Sequence, residues 1–464
     1  AAAGQEVAVG GQPTPAPGEP WRSVTPMMFG AVGDGVANDT EAVLAALRNV
    51  SRGGRVLLPA GKSFKVWPGA LRVSLRDAEL ALEGELVGPA LGEWNPRLAE
   101  WPAEACAFGQ VVCPPGVDPE AERTRFSMLE LANSTNVTIV GSGAFRADGG
   151  SFWAVRHSRP EVLAYAMLKV LRSRGVAVRG LSFRDSPMYH VNVMFSSQVQ
   201  LEGLNISVKS VGYQAGEGLS PNTDGVNLGP EAKDVTVRNC TIASGDDNLV
   251  IKAGSERILA ADLLFTAGKG VSIGSLGERH SEGSVRDCVF HNISMNGTRS
   301  GARIKTWPGG KGAVQNLTFK DFNLTGVKYA VELDQLYCPK SQAPMGCAGE
   351  SGLVSIRDVH FSRFRGSYTD KQTVEECQSC KEVEHADFEM DMVAPLRRAK
   401  EPKAKKSKKS KAPKESVELR DLGNSTEAKE AKESQEPEEP KAPKESEESK
   451  MTEEAQKSAE SKAA

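Results

Sequence analysis

Asn222-Thr223-Asp224-Gly225, Gly245-Asp246-Asp247, Gly268-Lys269-Gly270 and Arg303-Ile304-Lys305-Thr306 interrupt a stretch of otherwise ordinary apolar alternation. Three of these polar motifs recur at nearly one interval: 22 residues separate Asp224 from Asp246, and 22 more separate Asp247 from Lys269. That is about one coil of a parallel β-solenoid, in which each coil buries its apolar face only by stacking on its neighbours. Equivalent positions on successive coils then lie about 4.8 Å apart. Carboxylates and cations that are distant in sequence thereby become a column on one outer face. The period predicts an all-β fold, a parallel β-helix, with a site along that column.

Outward from the column the chain fits the same reading. Residues 1–24 are rich in Pro and Gly and read as a disordered lead-in. Phe29-Gly30-Ala31-Val32-Gly33-Asp34-Gly35 is a Gly-rich turn, followed by an N-cap at Asp39 or Thr40 and the apolar positions Val43, Leu44 and Leu47. These predict a short amphipathic helix closing the open end of the solenoid, which would otherwise expose a strand edge. Residues 55–87 alternate as strands; residues 88–128, with Trp94, Trp101, Cys106 and Cys113, read as a long loop that shapes a groove or merely decorates the surface. From Asn136 strand signals repeat through Val354–Phe364, and the solenoid is expected to end near Met392, giving one domain over 25–396. Residues 397–464 contain no aromatic residue and repeat Lys-Ala-Pro-Lys-Glu-Ser at 411–416 and 441–446. A segment of that composition cannot bury enough apolar area to offset its ordering entropy, so it reads as a solvated, disordered tail.

A formal net charge of -3 gives no global reason to expect nucleic acid or an anionic membrane as a partner, and no apolar run is long enough for a transmembrane helix. Eight cysteines, Cys106, Cys113, Cys240, Cys288, Cys338, Cys347, Cys377 and Cys380, are an even number, as a disulfide framework needs. Sequons at Asn49, Asn133, Asn136, Asn205, Asn292, Asn296, Asn316, Asn323 and Asn424 favour a secretory route. The opening Ala-Ala-Ala-Gly-Gln-Glu has no basic and apolar leader, so a signal peptide is expected to be removed or to lie outside the sequence.

The column has the makings of a glycosidase. Hydrolysis of a glycosidic bond needs one carboxyl group to protonate the leaving oxygen and another to activate water. Asp224, Asp246 and Asp247 supply more than enough. In a regular strand Asp246 and Asp247 would face opposite ways, so Gly245 is expected to mark a bend or bulge. Crowded like charges raise the pKa of one member, which provides the protonated acid. Arg303 and Lys305 share one face, with Ile304 pointing to the core; such a pair beside carboxylates either neutralises them or binds an acidic sugar.

In this order and at these spacings the four motifs resemble those of the polygalacturonases, the pectin-cleaving glycoside hydrolases of family 28, which are right-handed parallel β-helices. The start, Phe29 to Thr40, resembles the opening of many pectin-active β-helix enzymes. The resemblance covers about residues 26–392 and implies a secreted, monomeric, metal- and cofactor-independent inverting hydrolase of α-1,4-galacturonosidic linkages in pectin. It implies Asp247 as general acid, Asp224 with Asp246 activating water, and Asn222, Arg303, Lys305 and Tyr337 as galacturonate-binding residues. Ser186-Pro187-Met188-Tyr189-His190 resembles a further family stretch, with His190 either touching sugar or purely structural. It also implies a terminal disulfide in the region of Cys377 and Cys380. The chain departs from the pattern at Lys269, where the family has histidine, and at Asn248, where many members have cysteine. A lysine stays cationic and stabilises neighbouring carboxylates in their ionised form, opposing the acid role of Asp247. Two other readings therefore stand beside the hydrolase: a pectin-binding protein that has lost catalysis, and a hydrolase of another pectic backbone such as rhamnogalacturonan.

Overall fold

The computed structural model describes residues 22–94, 126–156, 164–209, 220–338 and 354–394. Most of the lead-in, most of the 88–128 loop with Cys106 and Cys113, Cys347 and the charged tail lie outside the described residues. The rest is a right-handed parallel β-helix whose strands join in one 28-stranded sheet.

The alternation seen in the sequence builds the wall. Val191, Val226, Leu249, Val271, Ala302 and Val331 occupy one register line on successive coils. All are fully buried. Around the bends the core is filled by aromatic ladders: Phe290, Phe319 and Phe361 stack at ring separations of 4.6 and 4.9 Å. Phe322, Phe364 and Phe388 stack at 4.6 and 4.7 Å. Ring spacing equals strand spacing, so parallel stacking and the hydrogen-bond ladder reinforce one another. Buried serines extend the logic to inward-facing polar groups, since Ser173 Oγ accepts the Ser134 amide at 2.9 Å and Ser196 Oγ accepts the Ser173 amide at 3.0 Å.

The helix Thr40–Asn49 covers the first coil with Val43, Leu44 and Leu47. Asp39 precedes it without a side-chain cap bond; its carboxylate instead accepts the Val32 and Gly33 amides at 2.7 and 3.1 Å, tying the Gly-rich turn to the helix start. Thr40 Oγ1 accepts the Trp67 amide at 2.9 Å, fixing the helix to the next coil.

The cysteines divide. Cys377 and Cys380 form a disulfide, but Cys240 and Cys288 are buried free thiols whose Sγ atoms donate to the Arg238 and Arg286 carbonyls. They face the core and belong to no disulfide framework. The sequons, too, have a structural cause. Asn136, Asn292 and Asn316 sit at bends in the left-handed region, at φ of 54°. Each donates from Nδ2 to an aspartate of the preceding coil, Asp77, Asp262 or Asp287, at 3.0, 2.6 and 2.7 Å. Asparagine tolerates that backbone region, and a strand of alternating residues follows it, so Asn-apolar-Ser/Thr arises from the fold itself.

Candidate active site

The first three polar motifs lie just before three successive strands, Val226–Leu228, Leu249–Ile251 and Val271–Leu276, and the fourth lies within the next strand on this wall, Ser300–Thr306. Val226 pairs with Leu249 and Leu249 with Val271, so Asp224, Asp247 and Lys269, each two residues earlier, share one line. Asp224 is therefore the coil neighbour of Asp247, one residue away from the match that a uniform interval of 22 suggested.

Asp246 and Asp247 reach the same site because the chain bends. A side-chain carbon at Gly245 would collide with Ser220, so only glycine permits the approach. Ser244 Oγ donates to the Asp246 carbonyl at 2.9 Å, and the Gly245 amide donates to Thr223 Oγ1 at 2.9 Å. Thr223 thus staples its coil to the next. Asp246 accepts the amides of Asn222 and Asp247 at 3.1 and 2.9 Å, and its Oδ1 lies 2.7 Å from Lys269 Nζ.

Lys269 is held by its own loop. Gly270 has a φ of 87°, and a side-chain carbon there would strike the Ser300 carbonyl. Asn248 closes the turn: its Oδ1 accepts the Gly270 amide at 2.8 Å while Nδ2 donates to the Ile242 and Ala267 carbonyls. An amide side chain at 248 thereby fixes the loop noncovalently. Burial opposes the Lys269 charge, but Asp246 and then Asp247 outweigh it and push the ammonium above its ordinary value, so it stays cationic.

Asp247 accepts from Lys305 Nζ at 2.8 Å and from Ser272 Oγ at 2.7 Å. Burial opposes its ionisation, yet Lys305 and Lys269, with Arg303 adding to them, hold the carboxyl well below the usual carboxylate range. Asp224 is the opposite. Burial first, then the charges of Asp246 and Asp247, push it well above that range against the pull of Lys252 and Lys305. The surroundings thus favour the protonated form of Asp224 and the ionised form of Asp247. Asp224 and Asp247 are only 5% and 4% exposed, so these charges act at short range in a poorly solvated setting.

Arg303 and Lys305 stand side by side with Ile304 in the core. Arg303 meets Glu332 at 3.2 Å and Asp334 at 3.7 Å. Glu332 is also held by Arg299 at 2.6 Å and by Ser300 Oγ at 2.6 Å. Tyr337 lies beneath both cations, its ring centre 5.2 Å from the Arg303 guanidinium and 5.5 Å from Lys305 Nζ, where its electron-rich face favours them. The structure therefore gathers Asn222, Asp224, Asp246, Asp247, Lys269, Arg303, Lys305 and Tyr337. His190 is apart in role: fully buried, it donates from Nδ1 to the Asp224 carbonyl at 3.0 Å. Burial lowers its pKa to about 4 and keeps it neutral. Ser272 and Glu332 were not singled out in the sequence; both occupy the outward line of Arg303, and counting register along it finds them. A separate cleft of about 420 Å³ is lined by Ser51, Arg52, Ser74, Leu75, Arg76 and Asn133 and offers no carboxylate for this chemistry.

The sequence profile of glycosyl hydrolases family 28 matches residues 118–412. This chain belongs to that family. The family 28 chain is 30% identical over 344 residues to a probable polygalacturonase of Arabidopsis thaliana, covering 73% of this chain and 66% of that protein. In structure it resembles the endo-xylogalacturonan hydrolase from Aspergillus tubingensis, with a TM-score of 0.65 and 21% identity over 80% of this chain and 93% of that one. It also resembles a hyperthermoactive exopolygalacturonase from Thermotoga maritima, with a TM-score of 0.58 and 20% identity over 80% and 92% of the two chains. Membership makes this family 28 chain a glycosidase, and the carboxylate column is where its geometry can perform that chemistry.

Proposed function

We propose that the protein is a secreted, monomeric hydrolase of α-1,4-galacturonosidic linkages in pectin, acting with inversion through Asp247 as proton donor and Asp224 with Asp246 as the groups that activate water. The observation that carries this reading is the gathering of Asp224, Asp246 and Asp247 with Lys269, Arg303 and Lys305 on one face, with Arg303 and Lys305 beside the acid. A neutral sugar offers those cations hydroxyl oxygens but no anion. A uronic acid presents one carboxylate per residue, which arginine accepts bidentately and lysine as a point charge. Single-domain organisation over 25–396, with 397–464 as a solvated tail, completes the proposal.

Reducing-end release from polygalacturonate, followed across about pH 3 to 7, tests it. The parent is expected to be active and Asp247→Asn to lose about 10²–10⁴-fold in kcat, the usual contribution of a positioned acid. The Lys269–Asp246 ion pair gives the binding-protein reading its own outcome. Silence in the parent with activity restored by Lys269→His would mark a pectin-binding relic, whereas activity on a rhamnogalacturonan backbone alone would move the substrate and keep the chemistry.

A further inference from the structure

Asp247, the proton donor of the reading above, accepts hydrogen bonds at both carboxyl oxygens where the reaction needs it to give a proton. Lys305 Nζ donates to its Oδ2 at 2.8 Å and Ser272 Oγ to its Oδ1 at 2.7 Å, contacts that favour the ionised carboxylate. One coil away on the same register line, Asp224 is the carboxyl that burial and the charges of Asp246 and Asp247 push toward its protonated form. Lys305 is also a cation that the substrate's carboxylate would seek, and it has only one acidic partner among the described residues, whereas Arg303 is already engaged by Glu332 and Asp334. Resting on the galacturonide reading above, we propose that the carboxylate of the incoming uronide arms the enzyme: by drawing Lys305 away from Asp247 it lets the proton of Asp224 pass to Asp247.

The proton account then closes. Asp224 gives its proton to Asp247 and becomes a carboxylate. Asp247 passes that proton to the glycosidic oxygen as the bond from the anomeric carbon to that oxygen breaks. Water forms the new bond at the opposite face of the sugar, and its released proton goes to Asp224, beside Asp246, which stays paired with Lys269. Departure of the product returns Lys305 to Asp247, and the resting state is restored. One water is consumed, and no other reactant is required. The groups facing Asp247 are Asp224, Asp246, Lys269, Ser272, Arg303 and Lys305, with Tyr337 under the last two. Of these Lys305 is the one whose partner the substrate exchanges, and it acts as a positioning residue for the proton.

Discrimination between an acid and its neutral ester should therefore appear in kcat. The test compares trigalacturonate with its methyl ester on the full chain, measuring kcat and KM at each pH. With the ester, Lys305 stays on Asp247, so kcat is expected to fall and its upper pH limit to move down, roughly tenfold in rate for each pH unit of displacement. In Lys305→Met the two substrates are expected to converge in kcat and in pH limit. Equal kcat and equal pH limits for acid and ester in the parent, with the whole difference in KM, would overturn the proposal, and that arm stands even where Lys305→Met does not fold. An upper pH limit that stays equally displaced between the substrates in a folded Lys305→Met would overturn it as well. Cleavage of neither substrate by the parent would instead defeat the galacturonide reading, and the arming step with it.

Discussion

Asp224 is costly for the fold to keep. Its folded pKa is raised above the ordinary value of 3.8 by burial and by Asp246 and Asp247. The folded state therefore binds a proton that the unfolded state has released, and stability falls as pH rises from the ordinary value through the raised one. Asp224→Asn is expected to abolish catalysis yet raise Tm at pH 7, with the gain vanishing near about pH 3, as read by calorimetry at the two pH values. Asp247 has the reverse sign: its depressed folded pKa contributes stability above the ordinary carboxylate value, lost only as pH falls through the folded one. Lys269 adds to that depression. Lys269→His exchanges a fixed cation for a group that is neutral above its own pKa, so Asp247 should keep a proton to higher pH, and the upper limit of the pH–rate profile is expected to move up. At this scale the sequence was legible where chemistry is local. Arg303-Ile304-Lys305 follows from period-two alternation alone. The partners Ser272 and Glu332 are plain strand residues until register places them, and the exchange of roles between Asp224 and Asp247 depends on a contact from Lys305, 58 residues away from Asp247.

Elements here are held by ladders, and each rung is shared by two coils. Phe319 stacks on Phe290 at one side and Phe361 on the other, and is fully buried. Phe319→Ala is expected to cost about 3–5 kcal/mol, the range for truncating a core aromatic, measured by denaturant unfolding. The loss should be larger than for a ring at a ladder's end, because two stacking contacts disappear. Ladders also give three of the sequons a structural origin: Asn136, Asn292 and Asn316 satisfy aspartates of the preceding coil at left-handed bends. Turn residues were legible as turns. Which coil position each occupied was not, since one extra residue in the bend at Gly245 shifts Asp224 opposite Asp247.

Across the molecule, stability should grade from middle to end. Among the described residues the strands Cys380–Ala386 and Glu389–Met392 pair only with the preceding coil, and their residues are exposed or half-buried, with Met392 70% exposed. In a solenoid each coil is supported by its neighbours alone, so amide hydrogen exchange is expected to be fastest there and slowest between Val226 and Thr306, with reduction of the Cys377–Cys380 disulfide accelerating only the last coil. Equal protection along the whole wall would contradict this grading. The fold as a whole was readable because one period governs it, while the long loop at 88–128 and the tail have no period to read. The register line shared by Asp224, Asp247 and Lys269 has one more consequence. The groups proposed to react come from a short run of consecutive coils, and in that proposal every other coil enters only as support. Lineages could lengthen or shorten this protein by whole coils at either end and leave the chemistry untouched, whereas gain or loss of a single residue between Leu228 and Leu249 would dismantle it. Size in such a lineage is free to drift; the spacing inside the column is not.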